Sequence, residues 1–141
     1  MKLTNDLIRD TLLCIEMKLE SFTDDSGRFN YKSQVHWKNI YEDDFLNSKY
    51  LIDDIKYCII QLGEANLIST VIYGRKDKIS FLDIDSITWN GHMFLDSIRD
   101  ESLWSEIKSK IGNTAKVSIS VISKVVTELG VLYLKNKLGL E

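Results

Sequence analysis

The chain has 141 residues, of which 44% are hydrophobic, and a formal net charge of −3. This length and apolar content are typical of one soluble domain that needs no metal ion or disulfide for its stability. The acidic balance gives no overall attraction to nucleic acid and counts against DNA binding unless a local basic patch offsets it. Because charges interrupt MKLTNDLIRD and no apolar run reaches membrane-spanning length, we expect a cytoplasmic protein with no membrane partner.

The first third of the chain predicts one amphipathic helix followed by short elements. Thr4 or Asn5 can cap this helix, and FTDDSG ends it. Residues 28–37 are rich in aromatic and β-type residues, which indicates a short strand or an extended arm, and KNIYEDDF is typical of a short acidic helix. The apolar face of the first helix consists of Ile8, Leu12, Ile15 and Leu19.

Residues 49–100 contain the most informative pattern, a helix, a hairpin with a basic tip and another helix. Ser48 is a candidate cap for the first of these, and Asn66 can end it in the left-handed conformation. Residues 71–73 and 79–87 pair as a hairpin across GRKDK. This order is typical of a winged helix-turn-helix unit. The apolar stripe of the first helix consists of Leu51, Ile52, Ile55, Ile59 and Leu62.

Three helices are predicted after the hairpin. Thr88 caps the first, and the second contains Trp104 and closes at Gly112. The last runs from Ser118 to about Lys137 and is apolar on more than one face. Such a helix is either buried under the preceding unit or forms the interface of a homodimer, and the sequence leaves both alternatives open.

The predicted fold class is α+β, mainly α, a winged helix-turn-helix with additional C-terminal helices. We expect a single domain over residues 1–141, with the winged-helix core at about 4–100 and a helical extension at about 101–138.

No sequence motif indicates catalysis, a cofactor or a metal ion. His36 and His92 lie far apart, without metal-ligand spacing around them, and no phosphate loop or nucleophile elbow is present. Cys14 and Cys58 lie in apolar helical patterns, which favours two reduced buried thiols over a disulfide or redox pair. We therefore expect a non-enzymatic protein with no cofactor.

The hairpin tip and the helix before it predict a nucleic-acid-binding surface. Three cations in four residues at a tip can reach phosphates or the minor groove of double-stranded DNA, and the alternative is an ordinary solvated hairpin turn, since charged tips are common. Asp53 and Asp54 on the presumed reading helix oppose this interpretation, so the alternative is a protein–protein interaction module that keeps the winged scaffold without binding DNA. The candidate DNA-binding residues are Lys49, Lys56, Tyr57, Arg75, Lys76 and Lys78.

The block WNGHMFLDSIRDESLW (89–104) resembles the signature of a family of small phage and prophage proteins, domain of unknown function 2513. MKLTNDLIRDTLLCIE, YCIIQLGEANLI and KVSISVISKVVTELGVLYLKNKLGL resemble the same family, so the resemblance covers nearly the whole chain. Asn66 stands where we expect glycine in EAGLI. The resemblance implies a winged-helix-like fold and a mobile-element context, and it carries over no catalytic residues.

Overall fold

The computed structural model describes residues 3–19, 21–23, 25–31, 34–75, 78–111 and 119–139. The architecture is α+β and mainly helical, with a small three-stranded antiparallel sheet. In chain order the elements are α1 (Asn5–Lys18), β1 (Ser21–Thr23), β2 (Phe29–Tyr31), β3 (Val35–His36), α2 (Trp37–Tyr41), α3 (Asp44–Lys49), α4 (Ile52–Glu64), β4 (Ile68–Arg75), β5 (Lys78–Ile87), α5 (Trp89–Ile98), α6 (Glu101–Ile111) and α7 (Ile119–Leu138).

Helix α1 begins as the sequence predicts. The Thr4 hydroxyl accepts a hydrogen bond from the Leu7 backbone N–H at 3.2 Å, which confirms Thr4 as the cap. One face of the helix is buried against α2, α4 and α5, and it includes Leu7, Ile8, Leu12 and Ile15. Full burial of each such side chain contributes about 1.5–3 kcal/mol, so this face fixes α1 against three other helices.

The segment between α1 and α4 differs from the prediction in two ways. The predicted single acidic helix is two short helices, α2 and α3, and Asp43 caps α3 by accepting from the Leu46 N–H at 3.4 Å. Ser48 lies inside α3, so its prediction as the cap of α4 is wrong. Two extended residues, Tyr50 and Leu51, separate α3 from α4 and reset the helical phase.

The buried stripe of α4 therefore starts one turn later than predicted. Leu51 is 73% exposed and Ile52 is 44% exposed, so their prediction as members of the buried stripe is wrong. The residues that α4 buries are Ile55, Cys58, Ile59 and Leu62.

The predicted hairpin is confirmed, and its strands are longer than the sequence pattern indicates. Strand β5 lies between β3 and β4, and all pairs are antiparallel, with Val35 opposite Ile84 and Ile68 opposite Ile87. The predicted arm at 28–37 contains β2, which pairs with β1 in a separate hairpin, and β3.

A compact junction joins α4, the hairpin and α5. Asn66 ends the α4 turn at φ 62°, as predicted. The Thr88 hydroxyl donates to the Asn66 carbonyl at 2.6 Å and accepts from the Gly91 N–H at 3.0 Å, which confirms Thr88 as the cap of α5. The Thr88 N–H donates to the Leu67 carbonyl at 3.1 Å. These bonds fix the start of α5 against the end of α4.

Helix α7 packs on α5 and α6 through Ile122 and Val126, which are buried. Gly130 lies directly over Ser97, where an added Cβ would lie 2.6 Å from the Ser97 Oγ. One face of α7 is thus buried within the chain, and the opposite face is exposed. None of the helices in the described part of the chain is long and apolar enough to cross a membrane.

Both cysteines are free thiols in the helical core, as predicted. Burial raises the pKa of Cys14 to about 11 and that of Cys58 to about 12. Neither is a reactive thiolate at neutral pH, which agrees with a packing role.

Candidate macromolecule-binding surface

Lys49, the last residue of α3, is held by groups of its own chain. Its Nζ lies 3.0 Å from Asp10 Oδ2 on α1, and 5.6 Å and 5.3 Å from the ring centroids of Phe45 and Tyr50. The Tyr50 hydroxyl donates to the same Asp10 oxygen at 2.6 Å. Burial and the neighbouring Asp10 carboxylate both raise the pKa of Tyr50, so it stays protonated as a donor. Lys49 therefore neutralises an internal carboxylate.

Lys56 of α4 lies over an aromatic pair on α2. Its Nζ is 5.2 Å from the Trp37 ring centroid and 5.0 Å from that of Tyr41, both within cation–π range. The two rings are themselves in edge contact, with centroids 6.4 Å apart. Tyr57, the next residue, is half-buried. The candidate DNA-binding lysine of α4 therefore packs against the aromatic rings of α2.

The solvent-facing part of α4 is acidic and apolar. Asp53 and Glu64 are exposed at the two ends of the helix, and Ile52 is exposed beside Asp53. Gln61 donates to Glu64 at 3.3 Å, which holds that carboxylate on the helix surface. The exposed side chains of this helix are thus two carboxylates and one isoleucine, whereas the commonest side-chain contacts to DNA base edges come from Arg, Lys, Asn and Gln.

The three cations predicted at the hairpin tip fall at the edge of the described residues. Arg75 ends β4 and lies opposite Lys78, which starts β5. Lys76 lies outside the described residues. The base of the hairpin meets the end of α4, where Gly63 lies against Thr70. Since Lys56 precedes Gly63 by about 10 Å of helix rise, the described contacts do not join the α4 lysine to the hairpin tip.

Sequence reasoning missed the aromatic pair that holds Lys56. Trp37 and Tyr41 are four residues apart, a spacing that places two rings on one helical face, and this was the available signal. It also missed the exposed apolar residues Trp89, 77% exposed, and Met93 on α5. These have the same four-residue spacing within the block that resembles the family.

An apolar cleft of about 370 Å³ lies between α1 and α3, and its walls include Leu13, Met17 and Phe45. Its carboxylates have cationic partners, since Asp10 binds Lys49 and Asp43 lies 3.5 Å from Lys18 Nζ. Its arginine, Arg9, donates to the Ile98 carbonyl at 2.9 Å. The charged groups of the cleft are therefore committed to the fold, and no chemistry is assigned to it.

Comparison with known proteins places the chain in a family. A family model described as "Hypothetical protein (DUF2513)" matches residues 2–117, and the chain belongs to this family. An uncharacterized protein of Haemophilus influenzae is 29% identical to it over 126 residues, which cover 89% of this chain and 92% of the relative. No solved structure matches the chain.

Proposed function

We propose that the chain is a non-enzymatic binding module with a winged-helix arrangement. The support is the order α1, β3, α2–α3, α4, β4 and β5. In this order the short strand β3 pairs with β5, the second strand of the β4–β5 hairpin. In such an arrangement α4 occupies the position of the reading helix and the β4–β5 hairpin is the wing. The β1–β2 hairpin is an insertion between α1 and β3.

The ligand that this geometry favours is a protein, bound through the exposed face of α4. The observation that carries this proposal is the position of Lys56 over Trp37 and Tyr41, which leaves Asp53 and Glu64 as the exposed charges of α4. Carboxylates at this position repel phosphates, whereas an exposed isoleucine beside carboxylates suits a partner with apolar and basic side chains.

Recruiting the two lysines to DNA would carry a cost within the fold. Lys49 would leave the Asp10 carboxylate, which is only 10% exposed, without its cation. Lys56 would lose two aromatic contacts, each worth about 0.5–1 kcal/mol at an exposed site. These costs offset part of what each phosphate contact contributes.

Double-stranded DNA is the second candidate ligand, and the hairpin tip favours it. Arg75 and Lys78 are paired in register at the end of the hairpin, with Lys76 and Asp77 between them in sequence. A wing with this composition contacts phosphates or the minor groove. With so few cations in each copy, we expect DNA binding to require a dimer.

Charge reversal on α4 separates the two candidates, because they predict opposite effects. Asp53→Lys should abolish binding of a protein partner, whereas it should tighten binding to bulk duplex DNA at about 50 mM salt, where phosphate contacts are strongest. Glu106→Lys is the matched control, since Glu106 is an exposed carboxylate on α6, outside the proposed surface. Arg75→Ala and Lys78→Ala should each reduce the salt dependence of DNA binding by about one unit.

The partner is detected with a photo-crosslinking residue at position 53, and with the same residue at position 106 as the control, in cells of the native host. We expect a discrete protein adduct from position 53 that Glu64→Lys removes. Duplex binding by the wild type that strengthens with Asp53→Lys would overturn the protein proposal in favour of DNA. We further propose a phage or prophage origin, which a survey of neighbouring genes tests. We also propose a cytoplasmic location, which cell fractionation tests.

A further inference from the structure

The solvent-facing side of α7 has a charge order that is complementary to itself. The helix buries Ile122, Val126 and Gly130 on one side, as described above. On the opposite side, exposed residues recur at alternating spacings of four and three, which forms one continuous stripe. This α7 stripe consists of Lys124, Glu128, Val131, Lys135 and Leu138, with Leu132 beside Val131.

The centre of the α7 stripe is apolar and exposed. Val131 is 45% exposed and Leu132 is 55% exposed, and Leu138 lies 68% exposed near the end of the helix. Opposite charges flank this centre, with Glu128 one turn before it and Lys135 one turn after it. Among the described residues, neither Glu128 nor Lys135 lies within 4.0 Å of an oppositely charged group. Their mutual separation of two helical turns, about 10.5 Å of rise, prevents pairing within one chain.

We propose that a second copy of this chain docks on the α7 stripe as an antiparallel, two-fold symmetric helix pair. With the symmetry axis between Val131 and Leu132, each Val131 lies opposite Leu132 of the second copy. The same axis places Glu128 opposite Lys135 of the second copy, and this ion pair occurs twice. An isologous interface requires such self-complementarity, since every contact is made reciprocally.

The charge order also selects against a parallel pair. In a parallel, in-register arrangement Lys124, Glu128 and Lys135 each face the same residue of the second copy, so all six charges of the α7 stripe meet like charges. Like charges across a helix interface destabilise it, as opposite charges stabilise it. The α7 stripe therefore specifies an orientation as well as a partner.

This interface is distinct from the α4 surface and stands whether or not α4 binds a protein. One pair of 20-residue helices spans about 30 Å, and interfaces at the small end of the range accompany weak or transient association. We therefore expect a dimer in the micromolar range that weakens as salt screens the two ion pairs.

Sedimentation equilibrium of the full chain tests the proposal. Glu128→Lys and Lys135→Glu should each weaken the dimer about tenfold, because each turns two attractions into two repulsions, and tenfold corresponds to about 1.4 kcal/mol. The double variant Glu128→Lys/Lys135→Glu restores both pairs with reversed sign and should return to within about threefold of the wild type. Lys110→Glu, an equal charge change at an exposed residue on α6, is the control and should leave the dimer unchanged.

Circular dichroism of each variant separates loss of the dimer from loss of the fold. The proposal is overturned if the wild type is monomeric at about 100 μM, above the micromolar range expected of a weak interface. It is equally overturned if the double variant is as weak as the single variants, since the two charges would then not face one another. Crosslinking from position 53 remains a separate readout, so failure of the dimer leaves the α4 proposal intact.

Discussion

Substituting Gly91 by alanine is the sharpest test of the junction between α4, the hairpin and α5. A Cβ added at Gly91 would lie 1.9 Å from the Leu67 carbonyl oxygen and 2.7 Å from Ile87 Cγ2. The first contact is to backbone and cannot be relieved by rotating a side chain. The start of α5 would have to move by roughly 1.6 Å to bring this Cβ to an ordinary contact distance of about 3.5 Å from the Leu67 oxygen.

The free-energy cost of that movement follows from the packing and the hydrogen bonds around Leu67. Overpacking of this kind costs about 1–3 kcal/mol. The Thr88 N–H donates to the Leu67 carbonyl at 3.1 Å and the Thr88 hydroxyl donates to the Asn66 carbonyl at 2.6 Å. Losing both bonds adds about 1 kcal/mol each, whereas alanine in a helix recovers about 1 kcal/mol relative to glycine. We therefore expect a net loss of about 2–4 kcal/mol.

Urea unfolding followed by circular dichroism measures this loss as a lower midpoint at unchanged slope. Asn90→Ala is the control, because Asn90 is the exposed neighbour in the same helical turn. It should change stability by less than about 0.5 kcal/mol. If Gly91→Ala is as stable as the wild type, the close approach of α5 to the Leu67 carbonyl is wrong. The junction between α4, the hairpin and α5 would then not be packed as described.

Substitutions at three further positions test the contacts that stabilise the helices, each by chemical unfolding. Thr88→Ala should lose about 1–2 kcal/mol because it removes a helix cap, whereas Thr88→Ser, which keeps the hydroxyl, should lose little. Asp10→Asn should lose about 1–2 kcal/mol, since a charged acceptor of the Tyr50 hydroxyl becomes a neutral one; an unchanged stability would show that this bond contributes nothing. Hydrogen bonds from Arg99 lower the pKa of Glu16 in the folded chain. The stabilising effect of that pair is therefore present above the ordinary pKa of 4.5 and is lost as pH falls through the folded value, so stability of Glu16→Gln should fall less steeply below about pH 4.5 than that of the wild type.

Elements whose signals are local could be predicted from the sequence. Thr4 and Thr88 cap their helices because a hydroxyl at that position satisfies orphan amides regardless of what packs nearby. Asn66 adopts φ 62° because its short polar side chain tolerates that conformation. The hairpin follows from β-type residues on both sides of a charged turn. Each of these depends on a few neighbouring residues.

The phase of α4 could not be predicted, because it depends on where α3 ends. The apolar run from Leu51 fits a helical stripe equally well whether the helix starts after Ser48 or at Ile52. Asp43 fixes α3 as a separate helix, and two extended residues follow it, which leaves Leu51 and Ile52 in solvent. Helix boundaries of this kind are decided by tertiary packing rather than by propensity.

The sequence predicts which lysines are candidates for the site, but it does not predict which groups of the fold contact them. Charge and position on a polar face indicate Lys49 and Lys56 as candidates, and neither signal reports which groups lie next to the ammonium group. Asp10 is 39 residues from Lys49 in sequence, and Trp37 is 19 residues from Lys56. A lysine that meets an internal carboxylate or an aromatic pair is part of the fold, although its sequence context is that of a surface cation.

The exposed face of α4 and the α7 stripe together have a consequence for affinity. A symmetric dimer presents two copies of α4, so a partner with two matching sites binds the second copy intramolecularly and gains apparent affinity without a new contact. The Glu128→Lys variant should then weaken binding to an immobilised, densely presented partner much more than binding to a soluble single site. An equal loss in both formats would mean that the dimer shapes the α4 surface itself. Comparing the two formats therefore decides whether the second copy acts by adding a second binding site or by changing the exposed face of α4.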